Sequence, residues 1–74
     1  MKNNIRIIRA KEHISQEKLA IMSGVSRVTI SEVENEKVTP NTKTILKIAE
    51  ALNKPVQAVF LDFVLCENTN IPEK

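Results

Sequence analysis

Apolar residues in the first 54 positions of the chain recur at intervals of three and four, the spacing that places side chains on one face of an α-helix. Ile5 and Ile8, with Ile7 as a third candidate, predict the inward face of a first helix over residues 4–12. The strict alternation that is typical of a strand is scarce in this part of the chain. The pattern therefore predicts an all-α fold.

Capping residues and the only glycine of the chain delimit two further helices. Ser15 and Ser26 precede residues 16–23 and 27–34, and a serine in this position accepts a hydrogen bond from the first helical turn. Gly24 falls between the two segments, where a glycine adopts a left-handed conformation most easily. The spacing predicts two short helices joined by a tight turn. The residues expected to face the core are Leu19, Ala20, Met22 or Ser23, Ile30 and Val33.

Two more helices are predicted beyond a loop over residues 35–40. Asn41 is a suitable N-cap for a fourth helix over residues 42–52, and Asn53 is expected to cap its other end. Pro55 is expected to begin a short fifth helix, because proline is well tolerated at the first helical position. The inward residues of these two helices are predicted to be Ile45, Leu46, Ile48, Ala49 and Leu52, followed by Val56, Val59 and Phe60.

Residues 61–74 are predicted to form a C-terminal extension that follows a domain of residues 1–60. Alternating apolar side chains over residues 61–66 favour a strand, although an extended fifth helix also fits the pattern. A lone apolar strand on a small helical domain needs a partner. That partner is either a second copy of the chain or residues 2–4, unless the segment only closes the core of one chain. The predicted dimer interface comprises Leu61, Phe63, Val64 and Leu65.

The composition excludes several classes of protein. The chain has 74 residues, enough for one domain, and its 42% hydrophobic and 27% charged residues are usual for a soluble globular protein. It lacks an apolar segment of membrane-spanning length and a signal peptide, so we expect a cytoplasmic protein without a membrane partner. One cysteine, Cys66, and one histidine, His13, can form neither an internal disulfide nor a four-ligand zinc site. We find no catalytic set, phosphate loop or metal cluster, so no cofactor, metal or enzymatic activity is expected.

Charge is distributed unevenly along the chain. The net charge is +2, but residues 1–54 hold ten Lys and Arg against six Asp and Glu, whereas residues 55–74 hold one Lys against three acidic residues. The body is therefore basic and the end is acidic. A basic body fits a polyanionic partner such as DNA, although an ordinary solvated surface would give the same balance.

The second and third predicted helices meet the physical demands of a helix-turn-helix motif. Ala20 is small where the two helices approach closely, and Gly24 permits the turn between them. Val25, Ile30 and Val33 are apolar where the two helices pack together. The outward face of the third helix is then free to enter a DNA major groove. The combination of these features at this spacing predicts a DNA-binding motif.

The chain also carries a series of short motifs that recur in one family. They are Gln16-x-x-Leu19-Ala20, Gly24-Val25-Ser26, Thr29-Ile30-Ser31, Glu34, Pro40 and Leu46-x-x-Ala49-x-x-Leu52. Through them, residues 5–60 resemble the Cro/CI-type helix-turn-helix proteins, also called the xenobiotic-response-element family. The resemblance implies a lambda-repressor-like bundle of five helices whose third helix reads DNA. The chain departs from the family at His13 and Glu36, where relatives often have glycine, so Asn35 is expected to take the left-handed position after the third helix.

The resemblance implies roles for individual residues. Arg9 and Glu34 resemble a partly buried ion pair that joins the first helix to the end of the third. Chemistry adds that an arginine can bind guanine through two hydrogen bonds, and that Glu32 can accept from a cytosine amino group or pair with Arg27. The residues implied to contact base edges are Arg27, Val28, Thr29 and Glu32. Those implied to contact DNA phosphates are Gln16, Ser26, Ser31, Asn35, Lys37, Thr39, Asn41 and Lys43. Gln16 is also implied to brace against the third helix.

These expectations describe a sequence-specific transcriptional regulator. The simplest form is a homodimeric repressor that places two third helices about 34–36 Å apart on a near-palindromic double-stranded DNA operator. An alternative is the antitoxin of a toxin–antitoxin pair. Such an antitoxin would bind its protein partner through the C-terminal extension and autoregulate its own operon.

Overall fold

The structure, a computed structural model, describes residues 1–63, which form a bundle of five short helices. The helices are α1 (Ile5–Glu12), α2 (Gln16–Ser23), α3 (Arg27–Glu34), α4 (Thr42–Ala51) and α5 (Val56–Val59). Over residues 1–63 the only β-type pairing is an isolated antiparallel bridge between Asn3 and Phe60. No helix in this part of the chain has both the length and the apolar character needed to cross a membrane. The predicted all-α fold with five helices is confirmed.

The predicted caps of α2, α3 and α4 are confirmed. The hydroxyls of Ser15 and Ser26 each accept a hydrogen bond from the backbone N–H three residues further on, at 3.0 and 3.1 Å. The side-chain oxygen of Asn41 does the same at 2.8 Å. Gly24 has a φ of 74°, so the turn between α2 and α3 uses the left-handed conformation that favours glycine. Pro55 is the N-cap of α5 and not its first helical residue, so this detail of the prediction is wrong.

The left-handed residue at the end of α3 is Glu36, with a φ of 60°, and the prediction that Asn35 would take this conformation is wrong. Asn35 keeps a φ of −87° because both ends of its amide are engaged. The nitrogen donates to the Ser31 carbonyl at 2.9 Å, and the oxygen accepts from Arg6 at 2.9 Å. The chain therefore reverses one residue later than expected. The other left-handed residues apart from glycine within residues 1–63 are His13 and Asn53, which follow α1 and α4. The C-cap of α4 is Leu52, so the prediction that Asn53 would cap this helix is wrong by one residue.

One core of apolar side chains joins the five helices. Its buried residues are Ile5, Ile8, Leu19, Ile30, Val33, Ile45, Ile48, Ala49, Leu52, Val59 and Phe60. Ile7 and Leu46 were predicted to belong to it, and they do not, because they are 56% and 49% exposed. Ile7 precedes the buried Ile8 and Leu46 follows the buried Ile45, and the rotation of about 100° per residue turns Ile7 and Leu46 away from the buried face of their helices. In α2, the residue that faces the core is Ser23 and not Met22.

The chain turns back after α5 instead of continuing as a strand. Phe60 is extended, and the backbone N–H of Phe63 donates to the Phe60 carbonyl at 3.1 Å, which closes a turn. The strand predicted over residues 61–66 is therefore wrong for residues 61–63. Phe63 is half-buried against the core of its own chain, whereas Leu61 is 53% exposed. The other two residues of the predicted dimer interface, Val64 and Leu65, lie outside the described residues.

The N-terminal segment holds this turn in place. The Leu61 N–H donates to the Lys2 carbonyl at 3.0 Å, and the Lys2 N–H donates to the Asp62 carboxylate at 3.0 Å. These bonds occupy backbone groups that a longer strand would offer to a second copy of the chain. Of the partners considered for this segment, residues 2–4 are the ones that pair with it over the described residues.

Candidate nucleic-acid interface

The outward side of α3 presents most of the residues that were predicted to contact bases. Arg27, Val28 and Glu32 are exposed, and Val28 is 68% exposed to solvent. Ile30 and Val33, on the opposite side of the same helix, are buried in the core. The period of 3.6 residues explains this division. One side of α3 is therefore anchored, and the other is available to a partner.

Four residues of α3 and the first residue of α2 line one open depression. The turn at Gly24 brings them together, although they are far apart along the chain. The depression combines a guanidinium, a carboxylate, an amide, a hydroxyl and an apolar side chain, which are the groups that read base edges and bind phosphates. Its lining residues are Gln16, Arg27, Val28, Ser31 and Glu32.

Thr29 and Ser26 face each other at the start of α3 and do not line the depression. The Ser26 hydroxyl donates to the Thr29 hydroxyl at 2.8 Å and accepts from the Thr29 backbone N–H at 3.1 Å. Both hydroxyls are thus engaged in capping the helix. A contact between either hydroxyl and DNA would have to share these hydrogen bonds.

The remaining predicted phosphate contacts lie in an exposed segment over residues 35–43. The side chains of its two asparagines already form hydrogen bonds within the chain, Asn35 at the end of α3 and Asn41 at the start of α4. Lys37 and Lys43 bring positive charge into the same segment. The predicted contacts in the segment are Asn35, Lys37, Thr39, Asn41 and Lys43, and all five are exposed.

A buried carboxylate, that of Glu34, joins three helices behind the depression. Its side chain is 0% exposed. Arg9 binds it through two hydrogen bonds, from Nε to Oε2 at 2.5 Å and from Nη2 to Oε1 at 3.1 Å. Gln16 Nε2 also donates to Oε1, at 3.1 Å, and Arg9 Nη1 donates to the Ile14 carbonyl at 3.0 Å. The pair of Arg9 and Glu34 therefore lies where α1, α2 and α3 meet.

The surroundings of Glu34 keep this carboxylate charged. Burial alone would raise the pKa of Glu34, because it disfavours the ionised form. Hydrogen bonds from Arg9 and Gln16, together with the positive charges of Arg9 and Arg6, outweigh burial and hold the pKa of Glu34 below its ordinary value. Arg6 contributes from further away, with Nε 3.7 Å from Oε1.

Ion pairs within residues 1–63 form only at Glu34. The pairing of Glu32 with Arg27 that the sequence left open is not formed. Both side chains instead border the depression separately.

One contact of Glu34, that with Arg6, escaped the sequence analysis. Arg6 precedes Arg9 by three positions, so both side chains lie on the same side of α1, and this pattern could have indicated a second basic neighbour. The hydrogen bond from Gln16 to Glu34 agrees with the implied bracing of Gln16 against the third helix, although no local periodicity identifies Glu34 as the acceptor.

Comparison with known proteins identifies the arrangement. Residues 5–59 match the family described as Helix-turn-helix, and this match includes all five helices. The chain belongs to the Cro/CI-type helix-turn-helix family of transcriptional regulators. An uncharacterized regulator of this type from Methanocaldococcus jannaschii is 38% identical over 61 residues, which are 82% of this chain and 92% of that protein. Another from Bacillus subtilis is 37% identical over 60 residues, 81% of this chain and 91% of that protein.

Two solved structures share the fold of this helix-turn-helix regulator. The restriction-modification controller protein C.AhdI from Aeromonas hydrophila superposes with a TM-score of 0.70 and 33% identity, over 73% of this chain and 82% of that protein. The P22 c2 repressor, in complex with a synthetic operator, superposes with a TM-score of 0.67 and 38% identity, over 72% of this chain and 80% of that protein. The predicted lambda-repressor-like fold is confirmed.

Proposed function

We propose that this helix-turn-helix regulator binds double-stranded DNA sequence-specifically through α3 and acts as a dimeric repressor on a near-palindromic operator. The observation that carries the proposal is the open depression in which the exposed side of α3 meets Gln16. Membership of the family supports DNA as the partner, and so does the similarity to a repressor whose structure contains an operator. None of the relatives reported above is described as an antitoxin, so regulation is the function we propose.

The dimensions of α3 suit a major groove. An α-helix with its side chains is about 10–12 Å in diameter, which fits a groove about 12 Å wide, and the eight residues of α3 give it a length of about 12 Å along the groove. The buried side of α3 rests on the core, so the helix would enter the groove as part of a rigid unit.

Each outward side chain of α3 suits a different feature of the bases. Arg27 can donate two hydrogen bonds to one guanine, and Val28 can pack against a thymine methyl group. Thr29 uses its hydroxyl in the helix cap and has its own methyl group left for such a contact. Glu32 can accept from a cytosine amino group, and its charge would disfavour sites that bring a phosphate close to it. These four residues are the proposed base contacts.

The proposed phosphate contacts differ in strength. Gln16 and Ser31 line the depression itself. Lys37 and Lys43 add the positive charge that dominates affinity for DNA, so binding should weaken steeply as salt concentration rises. Ser26, Asn35 and Asn41 have side chains engaged in helix ends and would contribute less, and Thr39 completes the set.

Dimerisation would follow from an apolar edge beside the turn after α5. Leu61 is 53% exposed and lies next to the half-buried Phe63. Val64 and Leu65 extend the apolar sequence from there. A symmetric contact between two such edges would form a two-fold dimer, and binding to a near-palindrome requires that its two α3 helices lie about 34–36 Å apart, in successive major grooves. A bound dimer can repress transcription simply by covering a promoter.

A selection from random duplexes tests this proposal. Purified protein is incubated with a pool of random-sequence DNA, and the bound duplexes are enriched. The stoichiometry of the complex with the most enriched duplex is then measured by sedimentation. We expect a near-palindrome bound by two chains. No enrichment over the starting pool would contradict sequence-specific binding, and one chain per duplex would contradict the dimer.

A further inference from the structure

We infer that Arg6, on α1, is a further contact to DNA, whose guanidinium binds a phosphate beside the end of α3 and brings there the positive charge that α3 itself lacks. The inference rests on the proposed function, because it takes α3 as the helix that enters the groove. Its starting point is the hydrogen bond from Arg6 Nη2 to the side-chain oxygen of Asn35, at 2.9 Å, which places an exposed cation next to the C-cap of α3.

The end of α3 is negative by its own sequence. Glu32 and Glu34 belong to its last turn, Glu36 follows shortly after it, and the last turn contains no basic residue. The helix dipole adds a partial negative charge at the same end. Phosphates of both strands border a helix that lies in a major groove. A negative end would therefore oppose binding unless a cation from another part of the chain offset it.

Arg9 is not available to supply this charge, whereas Arg6 is. Arg9 is 16% exposed, and its two hydrogen bonds neutralise the Glu34 carboxylate, which is 0% exposed. Arg6 Nε lies 3.7 Å from Glu34 Oε1, which is too long for a hydrogen bond. The charge of Arg6 is therefore left over once the ion pair of Arg9 and Glu34 has formed.

The guanidinium of Arg6 is held in place and still has donors to offer. Its side chain is 69% exposed, and within residues 1–63 only Nη2 forms a hydrogen bond, to Asn35. An arginine carries five N–H groups, and a phosphate is an acceptor that its planar fork can bind through two of them. Because Asn35 restricts the side chain before DNA arrives, the contact would cost less conformational entropy.

The position of Arg6 on α1 separates it from the other exposed cation of the same helix. Through Asn35, Arg6 borders the segment over residues 35–43, in which the other phosphate contacts are proposed. Lys11 is five residues further along, so it is turned away from Arg6 by about 140° around the axis. It lines a separate groove with Ile7 and Lys54. Lys11 is therefore a matched control, with the same charge on the same helix but on another side.

The salt dependence of DNA binding tests the inference. Each phosphate that a protein neutralises contributes about 0.9 to the slope of log affinity against log salt concentration. The probe is a mixed-sequence duplex of about 30 base pairs, at salt concentrations from about 50 to 200 mM. We expect Arg6→Gln to reduce the slope by about 0.9 and to weaken binding about tenfold at the lowest salt concentration. Lys11→Gln removes the same charge and should leave the slope unchanged.

Two further comparisons separate a phosphate contact from other roles. Arg6→Lys keeps the charge and loses the fork, so it should keep the slope and weaken binding less than Arg6→Gln does. A phosphate contact carries no sequence information, so Arg6→Gln should weaken binding to a second, unrelated duplex by the same factor. A loss confined to one base position would overturn the inference, because it would make Arg6 a base contact.

Other outcomes decide between the inference and the proposed function. If Arg6→Gln lowered the free energy of unfolding but changed the slope no more than Lys11→Gln, the role of Arg6 would be confined to the fold and the inference overturned. A parent chain that binds no duplex would instead overturn the proposed function, and the inference with it. If circular dichroism shows that Arg6→Gln is unfolded, the parent chain decides. The Nε–H signal of Arg6 in its nitrogen spectrum should then shift as the duplex is added, and an unshifted signal at saturation would overturn the inference.

Discussion

Asn3 reaches from the N-terminal segment to the last turn of α3, where its Nδ2 donates a hydrogen bond to the carbonyl of Val33 at 2.9 Å. The Asn3 side-chain oxygen accepts from the Ile5 N–H at 3.1 Å. One side chain therefore connects the start of α1 to the end of the helix that is proposed to read DNA.

Replacing Asn3 by alanine should lower the free energy of unfolding by about 1–2 kcal/mol, because three side-chain hydrogen bonds, one of them long, are lost at a partly buried position. Urea denaturation measures this difference. Gln57→Ala, at an exposed position, should change stability by less than about 0.5 kcal/mol. An equally small effect of Asn3→Ala would show that this contact contributes nothing to folding.

Arg27→Ala should relax the base preference at one operator position while leaving the fold unchanged, because Arg27 is exposed on α3. The expected loss of discrimination is about 1–3 kcal/mol against the other bases at that position. Affinity is compared across single-base operator variants, with Lys47→Ala on the exposed side of α4 as the control. Uniform weakening over all sequences would instead make Arg27 a phosphate contact.

Glu34→Gln should destabilise the fold at neutral pH by about 3–5 kcal/mol, because Arg9 would keep a buried charge without its partner. The pKa of Glu34 is lower in the folded chain than in the unfolded one. Its contribution to stability is therefore fully present above the unfolded pKa, about 4.3, and is lost as the pH falls through the lower folded pKa. Unfolding curves of the parent chain and the variant should converge in acid.

The exposed Glu50, on α4, supplies the control for this pH dependence. Glu50→Gln should differ little from the parent chain across the same pH range. If the difference in free energy of unfolding between the parent chain and Glu34→Gln did not shrink as the pH was lowered, the titration could not be assigned to Glu34.

Glu36→Gly should raise the free energy of unfolding by about 0.5–1 kcal/mol. Glu36 has a φ of 60°, which is costly for a residue with a Cβ atom, and the gain is partly offset by the greater freedom of glycine in the unfolded chain. Glu36→Ala removes the charge and keeps the strain, so it should give no such gain. If glycine proved no better than alanine, strain at this position would not limit stability.

Leu61→Asp should weaken self-association by at least about tenfold, because a carboxylate would enter an apolar contact. Leu61 is 53% exposed in the single chain, so the unfolding transition of the monomer should hardly change. Sedimentation equilibrium measures the association, and Ile21→Asp, at a residue of α2 that is 78% exposed, is the matched control. An unaltered dimer would remove Leu61 from the interface.

Local chemistry explains why most of the fold could be predicted from the sequence. Ser15, Ser26 and Asn41 mark helix starts through hydrogen bonds to residues three positions away, and Gly24 marks a turn that suits glycine. Such signals need no knowledge of the rest of the chain. The predicted bounds of α2 and α3 coincide with the observed ones for this reason.

The predictions that failed depend on contacts between distant parts of the chain. Asn35 stays right-handed because Arg6 of another helix holds its side chain. The turn after Phe60 forms because Lys2 binds Asp62, sixty positions away. Periodicity describes a single helix, and it contains no information about such pairs.

The bridge between Asn3 and Phe60 pairs the first residues of the described chain with its last ones, so that the backbone nearly closes on itself. Detachment of either end would release the other, and the carbonyl of Val33 would lose Asn3 in the same event. A protease that removed the first few residues of the chain would therefore remove a hydrogen bond from the end of α3 without cutting the helix-turn-helix at all.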